Sequence, residues 1–351
     1  MNITDTLRRW YNENKRDLPW RNTKDPYKIW LSEIILQQTR VNQGISYYYS
    51  FLELFPDVAS LANASPDKIL KTWQGLGYYN RARNLYETAK KIHYELNNEF
   101  PDSYTDLIKL KGVGEYTAAA IASFAYNEPV ALVDGNVQRF LSRLYGVYNP
   151  INSASGKKEF KKLANQMLDR ESPENHNQAM IEFGAIHCTP KNPNCAECPF
   201  QKICHAYNND IIDQLPVKKK AKKKKNRFFN YLIIKKDKNI FLEKRDNNDI
   251  WSSLFQFPLI ESRKEIQIDN LSTTKEWKTL FGNTQPVIKM VSQPYIHILT
   301  HQKIHARFIK IELTSSSGFL NKHFISTPIY KIDDYAVPRL IERFLENENL
   351  E

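Results

Sequence analysis

The chain has 351 residues, 41% of them hydrophobic and 25% charged, an ordinary globular composition that excludes a disordered, collagenous or membrane-embedded chain and makes two domains the expected count. Lys and Arg number 50 against 39 Asp and Glu, a net charge of +11. That excess points to a polyanionic partner, most often nucleic acid, with a merely basic soluble protein as the alternative. No apolar stretch reaches the roughly 20 residues of a membrane span. The start, MNITDTLRRWYNENKRDLPW, has neither an apolar core nor a small-residue cleavage site, so no signal peptide is expected. A cytoplasmic protein follows as the expectation, nucleoid-associated if prokaryotic.

In chain order, the first part reads as helical almost throughout. KIWLSEIILQQTRVNQGISYYYSFLELF and AAAIASFAYN carry apolar residues at three- and four-residue spacing. FPD at 55–57, SPD at 65–67 and FPD at 100–102 each precede a helical pattern and place a Pro near its first turn. An all-α domain over 1–216 is predicted. Residues 217–227, VKKKAKKKKNR, hold seven Lys and one Arg with no acid; a like-charge block cannot pack against itself and reads as an extended linker. Beyond it, RFFNYLIIKK, NIFLEKR, SLFQFPLI and IHARFIKIEL read as strands, and AVPRLIERFLENE as a closing amphipathic helix. Residues 228–351 are therefore predicted to form an α+β domain. The charge is uneven: 1–216 carries 25 basic and 24 acidic groups, and 228–351 carries 17 and 15, so most of the excess sits in the linker. A nonspecific, salt-sensitive attraction to phosphates is expected there.

Four segments of the first part carry chemistry. Glu33, in WLSEIILQQT, lies on a strongly apolar helix with Trp30 one turn before and Gln37 one turn after. A carboxyl in such company is partly desolvated, which raises its pKa and suits a general acid, although an ordinary helix-edge Glu has the same local pattern. LKGVGEYTAAA, 110–120, places Gly112 and Gly114 around Val113 between two helical stretches. This helix-hairpin-helix pattern, about 108–120, either offers unshielded backbone amides to a phosphate or is a plain turn. In LVDGNVQRF an apolar run delivers Asp134 to a helix start, where it caps that helix or stands as a carboxylate at a cleft mouth. All four cysteines, Cys188, Cys195, Cys198 and Cys204, fall within one short Pro-containing loop, which argues for metal ligation in a reducing compartment rather than disulfides. Only one Cys-x2-Cys knuckle is present where structural zinc usually pairs two, and the wider uneven spacing fits a 4Fe–4S cluster better, with zinc as the alternative.

Together and in this order, LPWR (18–21), PYKIWLSEIILQQTRV (26–41), GLGYYNRARNL (75–85), LKGVGEYTA (110–118), VDGNV (133–137), NQAMIEFGA (177–185) and the cysteine loop (188–204) resemble the endonuclease III superfamily of base-excision DNA glycosylases. Within it the similarity is to the MutY family of adenine DNA glycosylases, over about 1–215. The resemblance implies a helix-hairpin-helix glycosylase fold and a 4Fe–4S cofactor that is structural or redox-tuning. It also implies double-stranded DNA with an A:8-oxoguanine or A:G mispair as partner. No membrane partner is expected, and a monomer is the default expectation. The lyase branch has a Schiff-base Lys two residues after the hairpin glycines; here that position is Tyr116, which cannot form an imine, so a monofunctional enzyme is implied. Glu33 would protonate the adenine ring and Asp134 would stabilise the oxocarbenium-like sugar, with Tyr116 and Asn136 assisting. Trp20, Arg21 and Glu182 would line the pocket of the flipped base, Gln38 and Tyr78 would wedge into the vacated stack, and Arg81 and Arg83 would contact phosphates.

The C-terminal part resembles, more weakly, the Nudix-like lesion-recognition domain of that family, through WSSLFQFPLIE (251–261). It has no R-E-x-x-E-E run to hold Mg²⁺, so it is expected to be a reader rather than a hydrolase. The family's F-S-H reading loop would correspond to Leu299-Thr300-His301. Thr300 keeps the hydroxyl, but Leu299 lacks the aromatic ring. Two alternatives stand beside this reading: the same fold with another mismatch preference, such as A:G, and a DNA-binding cluster protein that has lost catalysis.

Overall fold

The computed structural model describes residues 2–219, 224–246, 249–348 and 350. These fall into two compact units. The first comprises the residues up to Asn63 together with those from Asn84 to the Lys-rich run. The second joins Ala64–Arg83 to everything after that run.

The first unit is helical: α1 (Ile3–Asn14), α2 (Pro26–Leu36), α3 (Val41–Leu54) and α4 (Val58–Asn63) precede the excursion, which holds α5 (Pro66–Thr72). The unit resumes within α6 (Asn80–Glu95) and continues through α7 (Tyr104–Leu107), α8 (Glu115–Tyr126), α9 (Gly135–Tyr145), α10 (Ala154–Met167), α11 (Pro173–Glu182) and α12 (His205–Asn208). The starts are written in the sequence. Asp25 caps α2 and Ser65 caps α5, each followed by Pro in the first turn, a position where the missing N–H is not needed. At the two FPD segments the expectation fails in detail. Asp57 and Ser103 supply the cap bonds, and Pro56 and Pro101 lie outside the helices. Helices α2 and α8 are apolar on nearly every side because they run through the core: Ile29, Trp30, Leu31, Ile34 and Ile35 of α2 and Ala118–Ala122 of α8 are all buried. A second core gathers Val137, Phe140, Leu141 and Leu144 of α9 with Leu7, Trp10, Phe160, Phe183 and Phe200. Among the described residues no helix is long and apolar enough to cross a membrane.

The second unit carries β1 (Lys225–Lys236), β2 (Asn239–Lys244), β3 (Phe255–Gln256), β4 (Leu259–Ser262), β5 (Val287–Val291), β6 (Tyr295–Ile298), β7 (Gln302–Glu312) and β8 (Ile325–Pro328), with α13 (Ile268–Leu271), α14 (Lys275–Phe281), α15 (Gly318–His323) and α16 (Arg339–Asn347). The sheet is mixed. β1 runs parallel to β7, from Lys225 opposite Gln302 to Lys235 opposite Glu312, and the remaining pairings are antiparallel. Side chains of β1 alternate between two cores. Phe229, Tyr231 and Ile233 meet Leu340, Ile341 and Phe344 of α16 on one face; Leu232 and Ile234 meet Trp277, Leu280, Phe281 and Leu320 on the other. A sheet covered on both faces explains the near-continuous apolar run that reads as a strand in the sequence.

The Lys-rich run is tied down at both ends. Val217 and Lys219 bond Ile151 and Asn152 through main-chain groups, and β1 already begins at Lys225. Arg227, expected in the linker, is a strand residue paired with Asp249 and Glu261, each at 2.6 Å. The acids it needs come from distant sequence, so the local like-charge pattern conceals the strand. Residues 220–223 of the expected linker lie outside the described residues.

Candidate active site

A cavity of about 370 Å³ in the first unit is lined by Glu33, Tyr116, Asp134, Trp20, Arg21, Gln38 and neighbouring side chains. Helix α2 carries Glu33 into it with only 7% of its surface exposed. Burial pushes this carboxyl up to about 7; a hydrogen bond from Tyr116 and the charge of Arg21 oppose the rise, and Asp134 adds to it. Near neutral pH the group is therefore poised to hold or release a proton. Tyr116 sits two residues into α8, and its own hydroxyl is pushed well above the ordinary range by burial and by Glu33, so it stays protonated and donates.

Asp134 both caps α9 and lines the cavity. Its Oδ1 accepts from the amides of Asn136 (2.9 Å) and Val137 (2.8 Å), and its Oδ2 accepts from Asn136 Nδ2 at 2.7 Å. Burial raises its pKa, while these bonds and Arg139 favour the ionised form. The segment leading to it is fixed by Asn177, which accepts from Leu132 N at 3.0 Å and donates to Val130 O at 2.8 Å. Arg139 donates to Asn136 Oδ1 at 2.9 Å and, through Nε, to the carbonyl of Cys188 at 2.8 Å. One guanidinium thus ties the cap to the cysteine loop. Gly184 is required beside it, since an added Cβ would come within 2.5 Å of Asn136 O.

Trp20 packs edge-on against Tyr48 at 5.3 Å. Glu182 is fully buried, and both its oxygens are taken by Arg16 and Arg21 at 2.6–3.1 Å. Burial alone would raise this carboxyl, but the two arginines hold it down to about 2. Glu182 thus lies beneath the wall it was expected to form, and Arg16 and Arg21 face the cavity. Arg16 went unrecognised in the sequence; its position three residues before the PWR turn is the signal that could have found it. Gln38 is exposed and Tyr78 is 54% exposed. Both have left-handed backbones, φ 58° and 47°, a strained state for non-glycine residues that concentrates at functional positions.

In the hairpin, Gly112 is left-handed (φ 78°), and a Cβ there would meet Asn84 at 2.6 Å. Thr88 of α6 holds the hairpin through Lys111 O at 2.7 Å. Gly114 caps α8 at φ −88° with open space around it, so exposure of its amide rather than conformation is what glycine supplies. Arg81 and Arg83 do not present free guanidinium groups. Arg81 is buried, bonds the carbonyls of Leu76 and Gly77 at 3.1 Å, and lies 4.9 Å over Trp73. Arg83 bonds Ser252 O at 2.5 Å and also Asn80 Oδ1. Both were expected on phosphates and are instead engaged inside the second unit, because tight turns leave carbonyls that the nearest cations satisfy. Thr300 and His301 form the exposed tip between β6 and β7, whereas Leu299 is partly buried against the sheet core.

Cys188, Cys195, Cys198 and Cys204 line one small cavity walled by Phe140, Phe183 and Phe200. Arg143, 3% exposed, organises the loop: it donates to Cys188 Sγ (3.5 Å), Thr189 O (2.7 Å) and Leu215 O (3.1 Å). Burial pushes the Cys198 thiol up to about 12 and raises Cys188 and Cys195 as well, so thiolates there need a metal's charge. Among the described residues no three His, Cys, Asp or Glu side chains converge closely enough for a single ion. Four thiols lining one apolar-walled cavity are a donor set that fits an iron–sulfur cluster.

Comparison with known proteins agrees with this geometry. The family described as HhH-GPD superfamily base excision DNA repair protein matches residues 31–166, the iron-sulfur binding domain of endonuclease III matches 188–204, and the NUDIX domain matches 230–347. The chain is 38% identical to adenine DNA glycosylase of Buchnera aphidicola subsp. Baizongia pistaciae over 91% of its own length and 88% of the relative's. The chain belongs to the adenine DNA glycosylase family. The human adenine DNA glycosylase is 40% identical over 60% of this chain and 40% of its own length. A thermostable thymine-DNA glycosylase aligns at a TM-score of 0.55 with 28% identity, covering 59% of this chain and 95% of that one. An endonuclease III from a non-covalent DNA complex aligns at 0.52 with 21% identity, over 59% and 94%, and shows the shared fold. As a member of this family the protein is a hydrolase acting on N-glycosyl bonds, and its cofactor is a 4Fe–4S cluster held by Cys188, Cys195, Cys198 and Cys204.

Proposed function

We propose that this enzyme, as a monomer, removes adenine mispaired with 8-oxoguanine or guanine in duplex DNA and leaves an abasic site without cutting the backbone. The observation that carries the reading is the pairing in one cavity of a carboxyl poised near pH 7, Glu33, with a capped and multiply hydrogen-bonded carboxylate, Asp134. Adenine is a poor leaving group as an anion. Glu33 in its neutral form protonates the imidazole ring of the flipped base. The C–N bond then breaks towards an oxocarbenium-like sugar, Asp134 stabilises the positive charge, and water completes the hydrolysis. Tyr116 holds the Glu33 carboxyl, and Asn136 holds Asp134 at the sugar. No lysine occupies the position of Tyr116, so no imine forms. The 4Fe–4S cluster fixes the fold of the 188–204 loop.

The Leu299-Thr300-His301 tip reads the opposite base, with Thr300 and His301 supplying its polar contacts. Purified holoenzyme on a duplex with one A:8-oxoguanine pair tests the proposal. Strand breaks are expected only after alkali. Breaks without alkali would mean lyase chemistry, and no adenine release from either mispair would overturn the substrate.

A further inference from the structure

The turn that carries Tyr78 is gripped by the C-terminal unit. Residues 73–81 wind tightly: Gly75 and Gly77 are left-handed (φ 94° and 71°), and so is Tyr78 itself. Trp73 Nε1 and Arg81 Nη2 both donate to Gly77 O, at 3.0 and 3.1 Å. This turn then takes both backbone groups of one residue just before α16. The Tyr79 hydroxyl accepts from Gly75 N at 3.4 Å and donates to Val337 O at 3.2 Å. The Val337 amide donates to Gln74 Oε1 at 3.3 Å, and Gln74 Nε2 reaches Glu342 of α16 at 3.2 Å. Val337 is 3% exposed and belongs to the core beneath the sheet, so it is an anchor that does not yield easily. On the exposed side, the hydroxyls of Tyr78 and Thr300 stand 3.4 Å apart.

We infer that Gln74 and Tyr79 are positioning residues that lock the Tyr78 turn to Val337, so that the C-terminal unit holds wedge and reading tip as one body. This inference rests on the proposed function. Within the turn the Arg81 guanidinium lies 5.9 Å over the Tyr78 ring and is itself bonded to the carbonyls of Leu76 and Gly77, so the ring follows the turn, and the placement of the turn depends on the lock. With it, insertion of Tyr78 into a base stack and contact of Thr300 with the opposite base are coupled, because displacing one displaces the other.

The test uses full-length holoenzyme carrying Tyr79→Phe, Gln74→Ala or both, alone and in a Tyr78→Ala background. Without DNA, hydrogen exchange should quicken in the peptides spanning 74–79 and 335–342 together; quickening in the first alone, or in neither, overturns the lock. This arm stands whether or not the wild type releases adenine, so failure of the function and failure of the lock are distinguishable. With A:8-oxoguanine duplex, the double variant should lose about tenfold in single-turnover rate, the scale of one or two hydrogen bonds, and should lose nothing further when Tyr78 is already Ala. Losses that multiply in the Tyr78→Ala background would show that Gln74 and Tyr79 act independently of the wedge and overturn the inference.

Discussion

The side-chain amide of Asn136 donates to Oδ2 of Asp134 at 2.7 Å while its Oδ1 accepts from Arg139 at 2.9 Å. Asp134 therefore has one oxygen held by the helix start and the other by a side chain that is itself clamped. Replacing Asn136 by Ala leaves Oδ2 without that donor and raises Asp134 further, since a bond to the ionised form is lost. Single-turnover adenine release should fall about 10- to 100-fold, in line with losing a charge-assisted bond. The acid limb of the pH–rate profile should also shift upward. A slower rate with an unmoved limb would assign Asn136 a purely structural role.

Glu33 sets the other limb. With its carboxyl raised to about 7, the rate should decline as pH rises above neutrality, because the proton donor is then lost. Glu33→Gln should bind mispaired duplex and release essentially no adenine; near-normal release would remove Glu33 from the chemistry.

The same group has a stability signature of predictable sign. Its folded pKa, about 7, lies above the ordinary 4.5. The native state holds the proton more tightly, and stability present below about pH 4.5 is lost as pH rises from there through about 7. Glu33→Gln removes that loss, which amounts to on the order of 3 kcal/mol at pH 8, since each tenfold change in proton affinity is worth about 1.4 kcal/mol. Thermal unfolding of the helical unit should therefore favour the variant at pH 8 and show little difference at pH 4. An equal effect at both values would mean that Glu33 titrates normally.

Arg143 touches the cysteine loop at three points without being a ligand. Arg143→Ala should lower iron content and the broad visible absorbance near ~400 nm, and Arg143→Lys should not restore them, because a single ammonium cannot reproduce the forked contacts. Full iron occupancy in Arg143→Ala would show that the four cysteines hold the loop unaided.

For the reading tip, Thr300→Ala with His301→Ala should narrow the ratio of rates on A:8-oxoguanine and A:G duplexes. An unchanged ratio would place lesion reading elsewhere.

What the sequence makes legible follows from range. Glu33 on an apolar helix and Asp134 at a helix start are local patterns, and both side chains line the cavity. Asp134 also shows that two readings of one residue need not compete, because capping the helix is how it is aimed. Arg81 and Arg83 are less legible, because a cation's direction is set by the acceptors that folding offers it, here the carbonyls of Leu76, Gly77 and Ser252. Arg139 lies hidden in an amphipathic pattern: Asn136 is one turn away on the same helix, but the carbonyls of Gly184 and Cys188, which give the guanidinium its role, become neighbours only on folding. Strand β1 is partly obscured for the same reason: Arg227 looks like linker until Asp249 and Glu261 are brought to it.

The joining of Ala64–Arg83 to the C-terminal unit has a consequence for how the protein is made. Gln74 and its partner Val337 are 263 positions apart, and translation proceeds at about 5–20 residues per second. The turn that carries Tyr78 therefore waits on the order of tens of seconds after leaving the ribosome before its anchor exists. During that interval Gln74 and Tyr79 lack their bonds to Val337. A chain stopped at the Lys-rich run would remain in that waiting state. Biosynthesis thus delivers the first piece of the C-terminal unit long before its last, and the final helix is what ends the wait.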